Sequence, residues 1–234
     1  MFIGAVAIVY ASFRALNIEQ MTVSEGALRE GLIYDLLGRI YNQDIRSETS
    51  SIIAKRYHTD QVHAQNIKDT VHYIAAQLSD LPCFIDNENL DALQFLDWAV
   101  ELHEIGLEIA HSQYHKHSAY IIENGDLAGF SKQDQLVLSK LVRCHRKKLN
   151  LKHFAELPLP WRDYAPHMIV IFRLARLLHR SRRNPRPDFK IHLKNNQLRL
   201  KFPADWLEQS PLTHADLEQE SLYLKTANFD LIFE

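Results

Sequence analysis

The chain has 234 residues, 46% of them hydrophobic and 24% charged, so it can bury a core and does not fall in the disordered class. Its two cysteines, Cys83 and Cys144, lie far apart. They exclude a disulfide framework and a CxxC metal pair, and they point to a reducing compartment, the cytoplasm. Net charge is only −2, which excludes a uniformly basic or acidic protein.

The first segment, "MFIGAVAIVYASFRAL", is apolar but too short to span a bilayer. It also lacks the basic start and cleavage site of a signal peptide. It reads as a buried helix that requires a neighbour. "NIEQMTVS" (17–24) has the character of a short strand, with Ile18, Met21 and Val23 as its apolar positions. "EGALREGLIYDLLGRI" (25–40) returns to helical periodicity through Leu28, Leu32, Leu36 and Ile40. Residues 1–43 therefore read as the end of an α/β unit, since one strand cannot make a sheet.

Residues 44–184 read as helical almost throughout. "DIRSETSSIIAKRYH" and "DQVHAQNIKDTVHYIAAQLSD" are two helices divided near His58 and Thr59. Another covers 88–105, with Leu93, Leu96, Val100 and His103 on one stripe. "HKHSAYIIENGDLAGF" (115–130) is a helix-like run ending in a glycine-punctuated turn. "SKQD" from Ser131 is a capping-box start for a helix reaching about Lys147. The last long helix of the block spans 163–183.

Past Pro185 and Pro187 the pattern changes. "DFKIHLKNNQLRLKF" alternates apolar and polar residues around a "KNNQ" hairpin turn. A helix capped by Thr213 and Asp216 follows, and "NFDLIFE" closes as a strand. Residues 185–234 are thus a small ββαβ unit. The fold class is mainly α with an α+β tail.

Charge is uneven along the chain. Residues 140–190 hold fourteen Lys/Arg against three Asp/Glu, a local charge of +11, and the remainder carries −13. A dense basic segment in an otherwise acidic protein points to a polyanionic partner. The bland alternative is a solvated face that balances charge within the fold.

Histidines also recur along the helical block: His63, then His103 beside Glu104, then His115, His117 and His145. This order resembles the HD superfamily of metal phosphohydrolases, in which imidazole and carboxylate ligands hold activating metals. The resemblance fails at the last ligand. Where such sites supply an Asp, this chain has Arg176 in "LARLLH", and a guanidinium repels a cation. His63, His103 and Glu104 are a weak metal alternative, and the expectation is no metal.

"MTVSEGALREGLIYDLL", "LHEIGL", "HKHSAYIIENGDLAGF" and "LVRCHRK" closely resemble the C-terminal half of the exopolyphosphatase / guanosine-pentaphosphate phosphohydrolase (Ppx/GppA) family. "HKHSAYI" with "RCHRK" favours the exopolyphosphatase branch. The resemblance implies that 1–43 is the remnant of an actin-like (ASKHA) domain. It implies an HD-like helical domain over 44–184 and a small α/β domain over 185–234. The family's phosphate loops and catalytic acid lie in actin-like domains that this sequence does not contain. The resemblance therefore implies no catalytic residue here, no cofactor in this chain although the parent family resembles Mg-dependent enzymes, and no hydrolysis by the chain alone.

The expected role is a polyphosphate-binding and assembly module, with the parent enzyme releasing orthophosphate. Homodimerisation and the missing N-terminal catalytic domains are the partners the resemblance implies. The expected contacts are His115, His117, Arg143, His145, Arg146, Lys147, Lys148 and Arg176. Arg, Lys and His offer bidentate contacts, point charge and pH-dependent charge respectively. Arg173, Arg176, Arg180 and Arg183 are spaced to form one basic ridge on a helix. Nucleic acid ranks lower, because few aromatic residues are interleaved for base stacking. The alternatives are an autonomous HD-type metal phosphohydrolase and the guanosine-pentaphosphate branch.

Overall fold

The computed structural model describes residues 2–18, 45–85, 91–182 and 187–234. The chain divides into two compact units, Met1–Asp44 and Ile45–Glu234.

In the first unit, helix α1 spans Phe2–Leu16. The expected burial is not seen: Val6, Ile8, Val9 and Tyr10 are exposed. Apolar composition is enough to make the helix, but burial needs a packed neighbour. The expected strand and helix over 17–40 lie almost wholly outside the described residues.

The second unit opens with α2 (Ile45–Arg56), α3 (Gln61–Gln77), a single turn α4 (Pro82–Ile85) and α5 (Ala92–Leu102). A 3₁₀ turn at Ile105–Glu108 leads into α6 (Tyr114–Asn124), α7 (Lys132–Cys144) and α8 (Trp161–Leu178). The tail holds β1 (Lys190–Lys194), β2 (Gln197–Lys201), α9 (Pro211–Lys225) and β3 (Asp230–Phe233). The architecture is mainly α with an α+β tail, as the sequence indicates. Among the described residues no helix is long and apolar enough to cross a membrane.

Local sequence explains most of the helix starts. Asp60 and Asp91 cap α3 and α5 by accepting from His63 N and Gln94 N. Ser131 and Asp134 form the reciprocal capping box of α7. The cap expected at Thr213 and Asp216 is not used. Helix α9 instead starts after Ser210 with Pro211 at its first position, where a missing N–H carries no penalty.

The core is built on an aromatic chain. Phe95 lies 4.3 Å from Trp161 and 5.2 Å from Trp98, which meets Phe130 at 5.0 Å. Helix α5 packs on α2, α3, α7 and α8, so its buried face forms the hub of the bundle.

The tail shares this core. β1 pairs antiparallel with β2 (Ile191 with Leu200, Leu193 with Leu198), and β2 pairs parallel with β3 (Leu198 with Leu231). Alternation puts Ile191, Leu198, Leu200 and Leu231 in the same buried cluster as the helices. Asn195 and Asn196 both have left-handed φ, 49° and 60°, as a two-residue hairpin turn requires. The Tyr73 hydroxyl donates to Phe189 O at 2.7 Å, and Ile191 N donates to the Gln77 side-chain oxygen at 3.1 Å. Helix α9 packs on α8 and β3, which brings tail residues to the basic end of α7.

Candidate anion-binding site

Helix α7 ends at Cys144, and the loop after it carries His145, Arg146, Lys147 and Lys148. Lys147 takes a left-handed conformation, φ 64°, so the chain turns sharply here. One residue holds the turn. Arg173 on α8, 1% exposed, donates to Cys144 O at 2.6 Å and to Lys147 O at 2.7 Å. The same guanidinium forks onto Glu220 of α9 at 2.5 and 2.9 Å. Four of the five N–H donors of Arg173 are therefore used internally.

Beside this clamp lies a cleft of about 250 Å³ lined by Arg146, Lys147, Arg176, Arg180 and Tyr223, with His145 and Arg173 at its base. Arg180 is ion-paired with Asp216. Arg176 is half-buried and makes no ion pair among the described residues, although Asp216 and Glu220 line the same cleft and its charge acts on Glu220. A second cleft of about 240 Å³ is lined by His63, Glu104, His111, Arg146, Arg176 and Arg182, with Leu107, Tyr114 and Arg180 completing it. Arg146 sits over the Tyr114 ring, 4.6 Å from its centroid, and with Arg176 and Arg180 it belongs to both clefts.

The structure brings together four of the sequence-predicted contacts: His145, Arg146, Lys147 and Arg176. Their roles differ from the expectation. His145 is buried and donates from Nδ1 to Val142 O at 2.5 Å. Burial, reinforced by His103 and Arg176, holds its imidazolium form well below the ordinary range, so it adds no positive charge. His115 is also buried. Its pKa is pushed down to about 4 by burial and then by Arg146. His117, Arg143 and Lys148 line neither cleft.

The expected ridge of arginines is broken up by tertiary contacts. Arg173 is committed to Glu220, helix α8 stops at Leu178 before Arg180, and Arg183 lies outside the described residues. Sequence reasoning missed Arg182, Glu104 as its partner, and Tyr223 and Glu220 from the tail. Residues 47 and 78 positions apart form these pairs, and no local pattern encodes them.

His63, His103 and Glu104 do converge, with one possible ligand atom from each within 4.8 Å of the others. His103 Nδ1 donates to Val100 O at 2.5 Å; its Nε2, 3.8 Å from Glu104 Oε1, has no hydrogen-bond partner, and neither do His63 Nδ1 and His115 Nδ1. Glu104, however, gives both oxygens to Arg182, at 2.6 and 2.8 Å. Arg182 also reaches Asp60 at 2.9 Å. With its carboxylate held by a guanidinium, the cluster offers chiefly imidazole nitrogen. That set does not fit Mg²⁺, which takes oxygen ligands. The cation at this place is Arg182 itself.

A helical bundle with a compact ββαβ tail and an arginine-rich cleft defines a helical domain of the α-plus-tail class. The family model described as "Ppx/GppA phosphatase, domain III" matches residues 45–221, and that described as "Ppx/GppA phosphatase family" matches residues 1–40. The chain belongs to the Ppx/GppA phosphatase family. It is 36% identical over 221 residues to the guanosine-5'-triphosphate,3'-diphosphate pyrophosphatase of Pseudoalteromonas translucida, covering 94% of this chain and 44% of that protein. It is 32% identical over 240 residues to the protein of that name from Photobacterium profundum, covering 100% of this chain and 46% of the relative. The chain thus spans less than half the length of these relatives. They carry the name of the guanosine-pentaphosphate branch, not the exopolyphosphatase branch that "HKHSAYI" with "RCHRK" favours.

Proposed function

We propose that this chain binds the phosphate groups of a guanosine nucleotide phosphorylated at both its 5' and 3' positions, as part of a protein that hydrolyses a phosphoanhydride bond of that ligand. The observation that carries this reading is Arg176. A half-buried guanidinium that makes no ion pair among the described residues is less favourable than one that an anion meets. It opens onto both clefts. Arg146 and Lys147 stand beside it on a loop fixed by Arg173. The names of the relatives supply the ligand class. The two buried free cysteines, Cys83 and Cys144, support a cytoplasmic location.

The role of the chain here is to bind and orient. Charge-assisted hydrogen bonds from Arg146 and Arg176 fix phosphate oxygens, and Lys147 adds point charge. The bond-breaking groups are assigned, by family, to actin-like domains.

The test is a calorimetric titration at low salt with guanosine 5'-triphosphate,3'-diphosphate and, separately, with long inorganic polyphosphate. Arg176→Ala is expected to weaken nucleotide binding about ten- to a hundredfold, given about 1.5–3 kcal/mol for a hydrogen bond to a charged group. Its melting temperature is expected to be unchanged or raised, because a partly buried unpaired charge is removed. Unchanged affinity in Arg176→Ala, or no binding by the wild type, sinks the proposal. Tight binding of polyphosphate with none of the nucleotide returns the chain to the exopolyphosphatase reading.

A further inference from the structure

Each cleft is below the roughly 300–1,000 Å³ typical of pockets that enclose a drug-sized ligand. A nucleotide must therefore use both. The two clefts share Arg146, Arg176 and Arg180 but differ in everything else. The first adds Lys147, the tail residue Tyr223 and two carboxylates, Asp216 and Glu220, each ion-paired with an arginine. The second adds a carboxylate, an imidazole and an apolar rim: Glu104, His63, His111 and Leu107. The imidazoles and the apolar rim set the second cleft apart from the first.

We infer that the second cleft, built by Glu104, His63, Arg182 and His111, is a base-recognition subsite that reads the hydrogen-bonding edge of guanine while the first cleft holds phosphate. The inference rests on the proposed function above. Guanine presents two adjacent donors, N1–H and the 2-amino group, and acceptors at O6 and N7. A carboxylate accepts from the two donors. Glu104 is held for this by Arg182, which grips both of its oxygens but leaves other lone-pair positions open, since a carboxylate offers about four.

His63 is a second, independent observation. It lines this cleft, it is more than nine-tenths buried, and its Nδ1 has no hydrogen-bond partner. A buried polar atom left unsatisfied is costly until a ligand meets it. A guanidinium from Arg146 or Arg182 suits O6 and N7, the acceptors arginine reads in nucleic acids. His111 is exposed at the rim, 6.4 Å from Tyr114 between ring centroids, and supplies a flat surface for the base. Adenine presents an acceptor, N1, and a bare C2–H where guanine has its two donors, so it faces Glu104 wrongly.

Four ligands on the wild-type chain at low salt decide the matter by calorimetry: GTP, ITP, ATP and inorganic tripolyphosphate. ITP differs from GTP only in lacking the 2-amino group. The expected order is GTP tightest, with ITP and ATP weaker by about tenfold or more, and tripolyphosphate no tighter than ATP. Equal affinity for GTP, ITP and ATP overturns the base subsite and leaves the phosphate reading standing. Failure of all four to bind overturns both.

His111→Ala, at an exposed position, is expected to weaken GTP several-fold and leave tripolyphosphate unchanged. Equal loss for both ligands contradicts a base role. Glu104→Gln is expected to shrink the preference of GTP over ITP. Should that variant fail to fold, the ligand series on the wild type decides alone.

Discussion

Replacing Arg173 by Met gives the sharpest test of how the basic loop is held. The substitution keeps much of the apolar volume but removes the charge and four hydrogen bonds: two to Glu220, one to Cys144 O and one to Lys147 O. Glu220, 8% exposed, is left as a buried carboxylate without its partner. Burial already pushes its pKa up against the opposing pull of Arg173. Breaking a buried ion pair from one side costs about 3–5 kcal/mol. For a unit of this size each kcal/mol shifts the melting temperature by about 2–4 °C, so a fall of about 10 °C is expected. Urea unfolding followed by tryptophan fluorescence is suitable, because Trp98, Trp161 and Trp206 all lie in this unit. The double variant Arg173→Met/Glu220→Leu removes the orphaned charge and should regain most of the loss. Two unpaired carbonyls remain, leaving a deficit of about 1–3 kcal/mol. A single variant within about 1 kcal/mol of wild type, or a double variant no more stable than the single, refutes the clamp.

Two further outcomes follow from the same packing. Burial pushes His103 down to about 4 and His145 well below its ordinary value. The folded state keeps both neutral, whereas the unfolded chain protonates near 6.5. Stability is therefore complete above about pH 6.5 and is lost as pH falls toward 4, on the order of 2 kcal/mol for His103 by about pH 5; a urea midpoint that does not drop between about pH 7 and pH 5 contradicts this. Gly106→Ala places a Cβ 2.3 Å from Tyr114 O and 2.5 Å from Ser118 N, both backbone atoms that cannot swing aside. A loss of at least about 1–3 kcal/mol is expected, and a melt equal to wild type counts against the close contact of the 3₁₀ turn with α6.

Much of the local structure was legible in the residues. The Ser131/Asp134 capping box, the split between α2 and α3 near His58, and the asparagine turn of the hairpin depend on neighbours within a few positions. So does the helical period of the block 45–182. Local chemistry decides these features before any packing occurs. Composition likewise marked Arg146, Lys147 and Arg176 as candidates for an anion. It could not say which basic residues were already spoken for. Arg173 and Arg176 sit one turn apart on α8 and look alike in sequence. One is sealed against Glu220, and the other opens onto two clefts. The difference arises because the carboxylates that α9 brings from the tail, Glu220 and Asp216, are ion-paired with Arg173 and Arg180 and not with Arg176. Glu104 and Arg182 meet only because the end of α5 and the residues beyond α8 converge in space. Pairing of charges across long sequence separation is a property of the packed fold, and it decides which charges remain available for a ligand.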